Sequence, residues 1–82
     1  MSADTSHRDT ELALARLGQV VRELREERDL SVEELSVACK IARWRLTRIE
    51  AGTLRTVDYG ELCKLAKAFD LSGGEFARKA QL

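Results

Sequence analysis

The chain has 82 residues, with 14 basic and 14 acidic side chains and a formal net charge of zero. That length suits one small domain with a modest core and is too short for two. No apolar run reaches the roughly 18 to 20 residues of a membrane span or has the form of a signal peptide, which points to a cytoplasmic protein without a membrane partner.

Proline is absent and apolar residues recur at helical spacing, so an all-α fold is expected. Residues 1–9 are polar and are expected to form a flexible tail, leaving 10–82 as the folded domain. A first helix is predicted from about Thr10 to Arg28, with Ala13, Leu17, Val20, Val21 and Leu24 on one face. Ser31-Val-Glu-Glu34 is a capping box, in which serine and glutamate each satisfy a free N–H of the first turn. It opens a second helix over about Val32–Cys39, with Leu35 and Ala38 inward. A third helix spans about Arg43–Ala51, and Gly52 beyond it suits a C′ residue with positive φ. Asp58-Tyr-Gly-Glu61 and Ser72-Gly-Gly-Glu75 repeat the capping-box form. They open a fourth helix, Tyr59 to about Phe69, and a short fifth, Gly73 to about Ala80, anchored by Phe76.

Catalysis has no support in these residues. The only histidine, His7, lies in the tail, so no Ser/His/Asp or Cys/His arrangement exists, and no glycine-rich phosphate loop is present. Cys39 and Cys63 fall inside helical patterns without partners at metal-ligand spacing, so no metal and no cofactor are expected. A disulfide between them is conceivable, but without a secretory signal two buried free thiols are the expectation. The pairs Glu26-Glu27 and Glu33-Glu34 read as solvated helix surface.

Charge along the chain is uneven. Lys40, Arg43, Arg45, Arg48 and Arg55 face only Glu50 between positions 40 and 55, a local excess that can steer binding to phosphates. The third helix also contains Trp44. At about 100° per residue its indole points away from the stripe of Ala42, Leu46 and Ile49, so burying it would turn Leu46 and Ile49 outward. An exposed tryptophan beside arginines implies an external contact.

The segment LSVEELSVACKIARWRLTRIEAG, Leu30 to Gly52, resembles the helix-turn-helix of the Cro/C1-type (XRE family) repressors, with its core at about 31–52. The likeness extends from about Leu14 to Phe76, through Leu24-Arg25 in the first helix, Glu33-Glu34-Leu35, RIEAG and LAKAF. The resemblance implies a five-helix, lambda-repressor-like DNA-binding domain whose third helix enters the major groove. Carried onto this chain, the base-reading positions are Arg43, Trp44 and Arg48, with Thr47 beside them. Phosphate contacts fall to Lys40, Arg45, Arg55 and the first turn of the second helix at Val32, where the family usually has glutamine. Lys40 replaces the usual turn glycine, Ala42 the usual capping serine, and Ser36 the usual alanine. Arg25 and Glu50 would form a buried structural ion pair.

Together these features imply a transcriptional regulator of the repressor type, acting as a homodimer on a palindromic operator in double-stranded DNA. A protein-interaction module of the same fold, an antitoxin or adaptor, would instead present Trp44 and the arginine face to a protein partner. For the dimer interface, Phe76 and Ala80 share a face of the fifth helix with Leu82 following, and Leu12 lies off the core stripe of the first. The other role open to Phe76 is to close the monomer core against the first and fourth helices.

Overall fold

The computed structural model describes the backbone of residues 3–82 and the side chains of residues 10–82. Five helices follow in order: α1 Ala3–Glu27, α2 Val32–Cys39, α3 Arg43–Ala51, α4 Tyr59–Ala68 and α5 Gly73–Ala80. The first helix starts ahead of the expected Thr10 and takes in residues assigned above to a tail. Neither proline nor glycine interrupts the chain before Gly18. Met1 and Ser2 of that tail, and the side chains up to residue 9, lie outside the described residues.

All three capping boxes form. Ser31, Asp58 and Ser72 each accept from the N–H three residues on, and Glu34, Glu61 and Glu75 each accept from the cap's own N–H. These short helices are held open at their N-termini by local chemistry and are fixed in place by packing. Leu17, Val21 and Leu24 of α1 meet Leu35, Leu46, Ile49, Leu65, Phe69 and Phe76 in one cluster. Ala38 is exposed where an inward position was expected, and Cys39, one residue on, is buried instead. Burial pushes the Cys39 thiol up, which keeps it protonated and inert. Cys63 is exposed, so only one of the two thiols is in the core.

Phe76 and Ala80 are both in the core, at 1% and 0% exposure. This corrects their assignment to a dimer interface: α5 packs on α1 and α4, and its apolar stripe is spent closing the monomer. Phe76 lies 6.4 Å from Phe69, ring centre to ring centre.

Gly18 sits in the middle of α1, where glycine has no local purpose. A Cβ there would stand 2.6 Å from the Glu50 carbonyl oxygen and closer still to that of Ile49. The glycine is what lets α1 lie against the backbone of α3. Gly52 ends α3 at φ 71, as expected, and donates to the carbonyls of Arg48 and Ile49.

The turn between α2 and α3 orients the third helix. Lys40, in the place of glycine, takes φ 59 and donates its N–H to the Ser36 carbonyl. Left-handed backbone is costly for a residue with a Cβ. The Ser36 hydroxyl donates to the Ile41 carbonyl at 2.7 Å, a bond that alanine at this position could not make. Ile41 itself is buried, so the turn is pinned to the core from within.

Candidate nucleic-acid interface

Leu46 and Ile49 fasten one side of α3 to the core, and Glu50 beside them is only 8% exposed. Arg25 meets that carboxylate with both prongs of its fork, Nε to Oε2 at 2.7 Å and Nη2 to Oε1 at 3.0 Å. Its third nitrogen donates to the Leu30 carbonyl at 2.8 Å, so one side chain ties α1 to α3 and to the entry of α2. The bond to Glu50 raises the Arg25 pKa further above neutrality. Arg22 adds a looser contact to Glu50 at 3.6 Å.

The opposite side of α3 is open. Trp44 is 59% exposed, and Arg43, Thr47 and Arg48 are exposed with it. The Arg48 guanidinium lies over the indole, its central carbon 5.3 Å from the ring centre. This stack gives Trp44 a partner in the free protein and leaves the Arg48 guanidinium without a hydrogen-bond partner among the described residues. Thr47 donates its hydroxyl to the Arg43 carbonyl at 3.0 Å, so it meets any further partner through its acceptor lone pairs. Arg43 reaches back to Glu33 of α2, with 3.1 Å between nitrogen and oxygen. Glu33 therefore does more than solvate a surface.

Arg45 departs from its expected role on phosphates. Its guanidinium grips Glu61 through two nitrogens and also donates to the Thr56 carbonyl at 3.3 Å. The Glu61 carboxylate in turn caps α4. Arg45 thus joins α3 to α4, with its Nε and Nη2 donors engaged within the domain. The bond from Arg45 holds the Glu61 carboxyl below the usual carboxylate range, against a smaller opposing effect of burial. Sixteen residues separate the two, too far for any periodic pattern to pair them; the only local sign was the capping-box glutamate itself.

Lys40 and Arg55 are exposed and make no ion pair among the described residues. They flank α3, one in the turn before it and one in the loop after it. Val32 occupies the first turn of α2, half-buried against the core, so its side chain offers a phosphate nothing. Only its backbone N–H, one of the unpaired donors of a helix start, suits that role. Ala42 caps α3 without a side-chain hydrogen bond, as its substitution for serine implies.

A short-turned pair of helices, with the second anchored by an internal ion pair and its cationic face turned out, defines a helix-turn-helix DNA-binding domain. The helix-turn-helix family model matches residues 21–76, more than half of the chain. The chain belongs to the Cro/C1-type (XRE) helix-turn-helix family, with the all-α, lambda-repressor-like fold of that family. No curated protein matches the chain. Among the described residues, no helix is long and apolar enough to cross a membrane.

Proposed function

We propose that this protein is a cytoplasmic transcriptional repressor that binds a palindromic operator as a homodimer. Arg43, Trp44, Arg48 and Thr47 face the bases, while Lys40, Arg55 and the N–H of Val32 meet phosphates. The observation that carries this reading is the division of α3: Leu46 and Ile49 are buried, while every large polar or aromatic side chain on the other face is exposed. Arginine can present two donors to guanine O6 and N7, at roughly 1–3 kcal/mol of discrimination per good pair. Trp44, held under Arg48, offers a flat apolar face to a thymine methyl or a sugar.

Selection of bound sequences from a random DNA library, followed by titration against salt, tests the proposal. An enriched two-fold symmetric sequence is expected. Its affinity should fall steeply with ionic strength, by a logarithmic slope of about −0.9 for each phosphate neutralised. No enrichment and a flat salt response would instead favour a protein partner for the Trp44 face.

A further inference from the structure

Glu33 is an acidic side chain placed beside the face that would meet a polyanion. Its neighbour Glu34 is engaged in the capping box with Ser31, but no cap or core contact holds Glu33. Its one ion pair among the described residues is with Arg43, from Oε2 to Nη1 at 3.1 Å, and both side chains are well exposed. Arg43 is the first residue of α3; Thr47 binds its carbonyl, but among the described residues its guanidinium has no partner on its own helix. The two helices are meanwhile fixed relative to each other by the pinned turn at Ser36, Lys40 and Ile41.

From this geometry, and resting on the DNA-reading role proposed above, we infer that Glu33 is a positioning residue that sets which base Arg43 selects. An exposed ion pair contributes little to stability, so stability does not explain a carboxylate here. A guanidinium has five donors. One nitrogen on Glu33 leaves the others for a bidentate contact with guanine, with the rotamer already chosen before DNA arrives. The same carboxylate repels nearby phosphates, so it lowers affinity for all DNA. Glu33 therefore trades general affinity for discrimination at one base pair.

The test uses the full chain with E33Q, R43A and the double variant, each profiled by binding-site selection and by affinity for unselected DNA. R43A is expected to abolish preference at one base pair. E33Q should bind unselected DNA more tightly and lose preference at that same base pair by about threefold or more, a coupling ordinary for contacting residues. In the R43A background, E33Q should change no base preference. Melting temperatures of the variants should stay near the parent's, since both residues are exposed. The inference is overturned if E33Q keeps the parent's profile, or if it shifts base preference equally with and without Arg43. A parent that enriches no sequence would overturn the DNA-reading role itself, an outcome visible before any variant is compared.

Discussion

Two arginine–glutamate pairs tie α3 to α1 and α4, and they differ in kind. Arg25 and Glu50 are largely withdrawn from water, with side-chain exposures of 14% and 4%. Glu50→Ala strands a buried guanidinium and should cost about 3–5 kcal/mol, read as a large fall in melting temperature. A melt close to the parent's would show that water solvates Arg25 freely. Arg45 and Glu61 are more accessible, and their signature is pH dependence. Because the folded Glu61 pKa lies below its unfolded value, the pair's contribution is complete above the unfolded carboxylate pKa of about 4.3. It is lost as pH falls through the lower folded value. In urea melts, the stability gap between the parent and Glu61→Gln should be constant near neutrality and close progressively below about pH 4. The same pair predicts that Arg45→Ala affects stability before it affects base preference.

At the scale of the elements, the crossing of α1 over α3 and the turn before α3 each hang on one backbone position. Gly18→Ala would normally favour a helix by about 0.5–1 kcal/mol. Here the added methyl meets the carbonyls of Ile49 and Glu50, and backbone cannot step aside as a flexible side chain can. Overpacking of this kind costs about 1–3 kcal/mol, so a net loss of stability is expected by denaturant titration. Since α3 carries the exposed face, DNA affinity should fall with it. Lys40→Gly makes the opposite separation. Relief of the left-handed strain at φ 59 should raise the melting temperature, while loss of an exposed cation should weaken DNA binding and flatten its salt dependence. Stability and affinity moving in the same direction would show that Lys40 makes no phosphate contact.

For the whole molecule, specificity on a genome needs more than one recognition helix, so the proposed dimer must find its interface away from α3. With Phe76 and Ala80 in the core, the exposed large apolar residues among those described are Leu12, Val37, Tyr59 and Leu82 besides Trp44. Tyr59 and Leu82 border an apolar groove between α4 and α5 that also includes Leu62 and Ala77. A two-fold interface must be self-complementary, and this groove with Leu82 at its edge is where we expect it. Sedimentation of the full chain at tens of micromolar should show a dimer that Leu82→Glu weakens. A monomer under those conditions, with and without Leu12→Glu, would leave pairing to occur only on the operator.

Much of this molecule was legible from local chemistry. The three capping boxes announced α2, α4 and α5 because a serine or aspartate and a glutamate three residues apart satisfy donors within a single turn. The outward face of Trp44 followed from helical period alone, since Leu46 and Ile49 could not be inward with it. Family likeness placed Arg25 against Glu50. What the chain could not disclose by itself were contacts between residues that no period relates. Arg45 on Glu61, Glu33 on Arg43, and Arg28 over the Phe69 ring while bonded to its carbonyl each required two helices to be brought together first. The same holds for Phe76. An apolar face on a short helix reads alike whether it meets its own core or another copy, and only the packing of α5 on α1 and α4 decided between them. Local patterns determine which face of a helix is apolar, but what that face meets depends on the whole arrangement of helices.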